Sequence, residues 1–453
     1  MAKKNGITIS DALIPKDDYP YDVPNNWCWV KLGAISSIIS KGTTPKGGKS
    51  AYVDEGIDFL RVENINDDGT ICHDNMMHVT EETHTGFLKR SMLEENDVLV
   101  SIAGTLGKTA IVKKDDLPLN TNQAVAFVRL ADNGEISRDF IRYAIDTPVI
   151  QNMLLAKTKV TAIPNLTLEI ISDCLIPLPP LAEQKRIVEQ IENLFSKLDE
   201  AKEKVQGVVE QFELHKESIL HQAFSGYLSE KWRIENGLSA DSWVQTSLGT
   251  YLNPMKTRKP EGETFRYIDI DAIDNKKQVI REAKETPVSE APSRASRAVN
   301  SGDVLFSMVR PYLKNIAYVT EDMSDCIAST GFYVCSCKDG LYSKYLYELL
   351  RSKDAIDYLM QFMKGDNSPS IRKDDLLDMP LKLPCIDEQK EICQIVSSLL
   401  QKEEEAKEAA VKVIDQIDLM KKSILAKAFR GELGTNIADE ESSIELLKSI
   451  IEA

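Results

Sequence analysis

The chain has 453 residues, 42% of them hydrophobic, too long for one ordinary domain and rich enough in apolar residues for more than one core. Its formal charge of −16 argues against a uniformly basic nucleic-acid binder. The excess is uneven, however: residues 29–180 carry 15 Lys and Arg against 20 Asp and Glu, and residues 243–384 carry 20 of each, so local cationic grooves remain open to both blocks.

Residues 1–26 read as an N-terminal extension. Met1 to Gly6 is not followed by an apolar run, and no stretch of about 18 uncharged apolar residues occurs, so neither export nor membrane insertion is expected and the cytoplasm is the expected compartment. The eight cysteines contain no Cys-x-x-Cys and the five histidines no His-Glu-x-x-His, which predicts reduced, mostly buried thiols and no metal.

In chain order, residues 27–180 form a β-rich block. Strands are expected at Asp97-Val98-Leu99-Val100-Ser101 and Ala124-Val125-Ala126-Phe127-Val128, and a helical stretch from Phe140 to Leu155. Residues 181–228 then read as one long helix, with Ile187, Ile191, Leu194, Leu198, Ala201, Val205, Val208 and Phe212 in alternating steps of four and three, a coiled-coil seam. From Ala182 to Phe224 it would span roughly 60 Å at about 1.5 Å per residue. After a connector, residues 229–242, the pattern repeats. A second β-rich block covers residues 243–384, with a helical stretch from Tyr345 to Met363. A second long helix covers residues 385–433, with Ile392, Val396, Leu399, Glu403, Ala406, Ala410, Val413, Ile417, Met420 and Ile424 as its seam. Residues 434–453 form a tail in which Ser442-Ser443-Ile444-Glu445 is a capping box ahead of Leu446, Leu447, Ile450 and Ile451; it packs on the bundle or grips a partner.

The repeat is literal at the helices. Pro179-Pro180-Leu181-Ala182-Glu183-Gln184-Lys185-Arg186-Ile187 returns 205 residues later as Pro384-Cys385-Ile386-Asp387-Glu388-Gln389-Lys390-Glu391-Ile392. At the same offset Lys216-Glu217-Ser218-Ile219-Leu220 returns as Lys421-Lys422-Ser423-Ile424-Leu425. The blocks are less alike: Asp97 to Ser101 matches Asp303-Val304-Leu305-Phe306-Ser307, and Trp29-Val30-Lys31-Leu32-Gly33 resembles Trp243 to Gly249. If the helices pack on each other they must run antiparallel with the heads at opposite ends, giving an α+β dumbbell with an internal pseudo-two-fold axis. Diverged heads related in this way suit two different DNA half-sites.

Head, Pro-Leu-Pro-Pro-Leu-x-Glu-Gln-Lys-Arg-Ile-Val and long helix, twice over, resembles the type I restriction-modification specificity-subunit family. Lys41-Gly42-Thr43-Thr44-Pro45, Gly56 to Val62, Gly104 to Ile111 and Arg310-Pro311-Tyr312-Leu313-Lys314 add to the likeness, which covers nearly the whole chain. Cys385 in place of the second proline and Glu403 in place of a Leu198-like residue depart from the first copy. The resemblance implies two target recognition domains, each reading half of a bipartite asymmetric site in double-stranded DNA, with the helices as ruler and docking surface. It implies two modification subunits carrying S-adenosylmethionine, and motor-nuclease subunits using ATP and Mg2+, with no cofactor on this chain and no catalysis by it. Specificity subunit of a methyltransferase-only system, or a coiled-coil scaffold for protein partners, are the alternatives.

Base reading wants polar and basic side chains on loops, with further cations fixing phosphates. In the first head these are Lys41, Thr43, Thr44, Lys46 and Lys49, then Asn120, Thr121, Asn122 and Gln123, with Lys157 and Lys159 for phosphates. Thr105 and Lys108 belong to a glycine turn that lacks the first Walker A glycine, Ile102 standing there; it faces DNA or is a structural hairpin. In the second head they are Lys256, Arg258, Lys259, Arg266, Arg310, Tyr312, Lys314, Ser368, Ser370 and Arg372. Glu183, Gln184, Lys185 and Glu388, Gln389, Lys390 open the two helices, where acidic groups suit the positive dipole end, and are expected to cap and to dock partner subunits.

Overall fold

The computed structural model describes residues 8–131, 135–158 and 165–452. It divides into two compact units: Met1–Lys204 with Val413–Ala453, and Val205–Lys412. Each unit therefore holds one head together with a segment of each long helix. Among the described residues no helix is long and apolar enough to cross a membrane.

The head of unit 1 is built on an antiparallel sheet in the order Ser36–Lys41, Val125–Leu130, Val98–Ser101, Thr109–Ile111. Beside it lies a smaller sheet, Met77–Val79, Ile57–Leu60, Leu119–Thr121, whose last pair is parallel. Cys28–Lys31 pairs with Leu175–Leu178, so the start of the head is stitched to the residues that lead into the long helix. Unit 2 repeats the plan. Val304–Ser307 lies between Ile316–Tyr318 and Phe332–Cys335; a four-stranded sheet contains Thr264–Ile268 and Ala295–Ala298; Val244–Ser247 pairs with Pro380–Leu383. The repeated strands Val98–Ser101 and Val304–Ser307 are buried along their whole length, as a continuous apolar run in a central strand requires.

Both helical stretches read from the sequence are broken in two. The first ends at Asp146, and Thr147 caps a new helix, Pro148–Ala156, with proline in its first turn; the second breaks at Ser352, which caps Lys353–Met360. A proline or a hydroxyl side chain suits the first turn of a new helix better than the interior of an old one.

The long helices span Leu181–Phe224 and Ile386–Ala428, and each is closed by a left-handed glycine, Gly226 at φ +85° and Gly431 at φ +74°. The antiparallel pairing is visible inside each unit. In unit 1 Lys202 meets Asp418 at 2.7 Å and Lys421 bonds Asp199; in unit 2 Lys407 meets Glu213 at 2.8 Å, and His215 lies 3.4 Å from Glu403. The seam departs from the sequence reading. Val208 is exposed beside a half-buried Val209, and Ala406, Val413 and Met420 are exposed where Lys407, Ile414 and Lys421 turn inward. The second helix advances four residues after Glu403 instead of three, which lets the lysine ammoniums reach across to carboxylates on the first helix.

Each helix start is held by a buried carboxylate. The Trp27 indole donates to Glu183 at 2.7 Å and Asn436 donates to it at 2.9 Å. Burial pushes the Glu183 carboxyl above its ordinary value, against the pull of those two donors. In unit 2 Glu388 accepts from Trp243 at 3.1 Å, from Ser229 at 2.7 Å and from Arg233 at 2.7 Å. The neighbouring glutamines match as well. Gln184 accepts the Ser137 N–H at 2.9 Å and Gln389 accepts the Tyr342 N–H at 2.7 Å, each thereby fixing the helix that begins beside it.

Unit 1 is completed by the tail. Arg186 makes a two-pronged pair with Glu440 at 2.8 and 2.7 Å, Asn26 donates to the Ile437 carbonyl at 3.2 Å, and the helix Ser443–Glu452 buries Leu447 and Ile450 in the head's core. Of the two sequence expectations for the tail, packing within the chain is the one seen.

Candidate nucleic-acid interface

In unit 1 the loop after Ser36–Lys41 is pinned to the polar cluster that follows Leu119–Thr121: Gly42 N–H donates to the Val125 carbonyl and Thr43 N–H to that of Thr121, both at 3.0 Å. Glycine is required at 42, since a Cβ there would lie 2.1 Å from the Asn122 carbonyl oxygen. Lys41 and Lys46 are exposed, Lys46 lying over the Phe87 ring at 5.4 Å, and Thr43 and Thr44 are half-buried, the Thr43 hydroxyl accepting from Arg90 at 3.1 Å. Lys49 sits in the turn Gly48–Ala51. Asn120 and Thr121 face inward, which corrects their reading as DNA contacts. The Asn120 carboxamide accepts from His84 and donates to the Leu88 carbonyl, and the Thr121 hydroxyl donates to that of Leu60 at 3.1 Å. Asn122 is half-buried and accepts the Ala124 N–H at 3.0 Å; Gln123 is exposed.

Thr105 is exposed in a hairpin closed by Ser101, whose hydroxyl donates to the Thr105 carbonyl at 2.6 Å. Lys108 is tied down, its ammonium 3.1 Å from the Ile65 carbonyl and 2.7 Å from Asp67. Lys157 is exposed just after Pro148–Ala156, and Lys159 lies outside the described residues. In the same unit His73 bridges Asp58 at 2.8 Å and Asp116 at 3.0 Å; hydrogen bonds to Asp116 and then Asp58 raise its pKa.

Unit 2 gathers its residues in two places. Lys256, Arg258 and Lys259 are exposed on a segment that runs beside Ala295–Ala298, with Arg258 N–H donating to the Ser296 carbonyl at 3.1 Å. Arg266 is half-buried and engaged with Asp325 at 2.9 Å and with Met323 Sδ at 3.0 Å, so its guanidinium is already partnered. The second place joins two loops that are distant in sequence. Arg310 N–H donates to the Pro369 carbonyl at 2.7 Å, its guanidinium to that of Asn367 at 2.8 Å, and Ile371 N–H to that of Met308 at 3.0 Å. Tyr312, Ser368 and Arg372 are exposed there; Ser370 is half-buried with its backbone paired to Lys364, and Lys314 turns to Glu217 at 3.7 Å.

Residues 24–211 and 255–413 match the family described as the type I restriction modification DNA specificity domain, which is most of the chain. The chain belongs to that family. Among curated relatives it is 22% identical to the EcoKI specificity subunit of Escherichia coli K12, across 94% of this chain and 95% of that one. It is 30% identical to the EcoBI specificity subunit of Escherichia coli over 49% of this chain, a match that spans just under half, 46%, of that subunit. Two solved structures share the fold at 21% identity over 91% of this chain. One comes from a study of complex assembly in a type I restriction-modification system, with TM-score 0.68 over 100% of that chain; the other is the HsdS subunit of Thermoanaerobacter tengcongensis, with TM-score 0.57 over 99%. The protein is thus a non-catalytic DNA-recognition subunit of a type I restriction-modification system.

In this specificity subunit the duplicated Glu-Gln pairs do not face a partner. Glu183, Gln184, Glu388 and Gln389 are fully buried and spend their hydrogen bonds inside the fold, so of the six docking candidates only Lys185 and Lys390 are exposed. Sequence reasoning took a repeated polar pair for a surface. The structure matches Trp243 to Trp27 rather than to Trp29, which corrects the sequence alignment of the two heads; this repeated tryptophan was the signal that the carboxylates had internal donors. It also missed Arg90, which meets Thr43, and Arg297, whose strand lies beside Arg258; these contacts join residues 38 or more apart along the chain. Among the described residues no three His, Cys, Asp or Glu side chains form a group that could hold a metal ion.

Proposed function

We propose that each unit of the chain reads one half of a bipartite, asymmetric site in double-stranded DNA, residues 27–180 one half and residues 243–384 the other. The observation that carries this reading is a structural repeat with matching cores and different loops. Val98–Ser101 and Val304–Ser307 occupy the same place in their sheets, yet the loop after one is Gly104-Thr105-Leu106-Gly107-Lys108 and after the other Arg310-Pro311-Tyr312-Leu313-Lys314. Equal scaffolds with unlike polar loops suit two unlike sequences. In unit 1 the exposed Lys41, Lys46 and Gln123, with Thr44, face DNA; in unit 2 the exposed Lys256, Arg258, Lys259, Arg310, Tyr312 and Arg372 do so.

The long helices set the distance between half-sites and carry two modification subunits, which hold S-adenosylmethionine and methylate adenine; motor-nuclease subunits with ATP and Mg2+ complete the restriction complex. Lys185 and Lys390, exposed at equivalent helix starts, give two identical partners the same contact twice. The test is selection from a random duplex library by the chain purified with its modification subunit. The reading expects a split motif and affinity that falls steeply with salt. Salt-insensitive assembly without sequence enrichment supports a protein scaffold instead.

A further inference from the structure

A cleft of 490 Å³ opens in unit 2 between the hairpin Ile273–Asp274/Val279–Ile280 and the joined loops that carry Arg310 and Ser368. Its apolar lining is aliphatic, Ile270, Ile273, Val309 and Leu313, and its polar side chains are Asp271, Asn275, Arg281, Arg310, Asn315 and Ser368. Among the described residues, Asp271, Asn275, Asn315 and Ser368 make no side-chain hydrogen bond, although Asn315 is only 7% exposed. Arg281 reaches Asp274 at 3.3 Å with one nitrogen, and Arg310 uses one N–H on Asn367, so both guanidiniums keep donors free.

The loop from Arg310 to Lys314 beside this cleft is held in an unfavourable backbone shape at both ends. Arg310 (φ 49°) and Lys314 (φ 52°) both lie in the left-handed region, which costs an L-residue energy and persists where neighbouring bonds impose it; here the Arg310 N–H is fixed to Pro369 at 2.7 Å. Unit 1 repeats the juxtaposition but bridges it. There Lys108 lies across to the turn after Ile65, bonding the Ile65 carbonyl at 3.1 Å and Asp67 at 2.7 Å. The strand register puts Asn315 of unit 2 at the place of Lys108, its carbonyl accepting the Ser307 N–H as that of Lys108 accepts the Ser101 N–H; its side chain is too short to cross, the preceding Lys314 turns away to Glu217 at 3.7 Å, and the space stays open.

We infer that this cleft is the base-reading site of unit 2. It receives the major-groove edges of one or two base pairs. Asn275 and Asn315 present the paired acceptor and donor that an adenine edge takes, Arg281 and Arg310 the donors that guanine takes, and the aliphatic lining suits a thymine methyl. The inference rests on the function proposed above and names the residues through which unit 2 would carry it out.

The test maps N6-methyladenine in cells that make the full chain, or its Asn275→Ala or Arg310→Gly variant, together with the modification subunit. Asn275 is exposed at a hairpin tip, and glycine accepts the left-handed backbone at 310, so neither change asks the core to refold. The expected result is relaxation at one or two positions of one half of the motif, with discrimination falling about ten- to a hundredfold there, while the other half and the spacer stay as they are. Lys276→Ala, on the same hairpin but outside the cleft, should leave every position unchanged. A wild-type motif retained by both variants overturns the inference, as does an even loss of methylation at all sites with the bases unaltered, the mark of a phosphate or purely structural role. Both results leave the split motif of the wild type intact. Failure of the wild type to give one would instead overturn the function on which the inference rests.

Discussion

The indole N–H of Trp27 donates to the Glu183 carboxylate at 2.7 Å, tying the first strand of its head to the first turn of a long helix. Trp243 and Glu388 make the same tie in unit 2, where a buried Arg233 joins them at 2.7 Å. The two ties should therefore differ in what their loss costs. Glu183→Ala strands neutral donors and should cost about 1–3 kcal/mol. Glu388→Ala strands a buried guanidinium and should cost about 3–5 kcal/mol. Urea unfolding of each variant, with hydrogen exchange to show which unit opens, checks the order; equal costs would mean that Arg233 finds another partner.

The tail should matter to unit 1 alone. Deleting residues 435–453 removes the Asn436 bond, the Arg186 pair with Glu440 and the burial of Leu447 and Ile450, the last two together worth about 3–6 kcal/mol. Amide exchange in Cys28–Lys31 should accelerate, while exchange in Val244–Ser247 should not change.

His73 gives unit 1 a pH dependence. Its pKa is raised by Asp116 and then Asp58, so the folded state binds its proton more tightly than the unfolded chain does. The stability it contributes is complete below the unfolded value near 6.5 and is lost as pH rises through the higher folded value. With 42% of the side chain exposed, the effect should stay under about 1 kcal/mol. Melting curves across that window should be flatter for His73→Asn than for the wild type.

Cations that meet phosphate should be separable from cations already paired. Lys256→Ala and Lys259→Ala should each lower the salt slope of DNA binding by about one and weaken all sequences alike. Lys108→Ala should leave the slope as it is, because its ammonium is held by Asp67 and the Ile65 carbonyl.

The repeat, the two long helices and the central strands were legible because their signals are local: heptad spacing, continuous apolar runs and a literal echo 205 residues on. Finer points were not. The seam shifted by one residue after Glu403 because lysine stems at 407 and 421 can line it while their charges reach Glu213 and Asp199, an outcome set by the facing helix. Asn120 read as a surface contact because a polar cluster looks the same in sequence whether its partner is a base or, as here, His84. The open cleft of unit 2 was invisible for a similar reason. Asn275, Arg310 and Ser368 lie up to 93 residues apart, and only the folded sheets bring them together.

Two unlike heads on one repeated scaffold are proposed to read two unlike half-sites. The decisive measurement maps N6-methyladenine across the genome in cells that express the chain with the modification subunit proposed as its partner, beside cells that lack the chain. A split, asymmetric motif found only when the chain is present is the expected result. A continuous motif, or methylation independent of the chain when both proteins are present and associated, would contradict it.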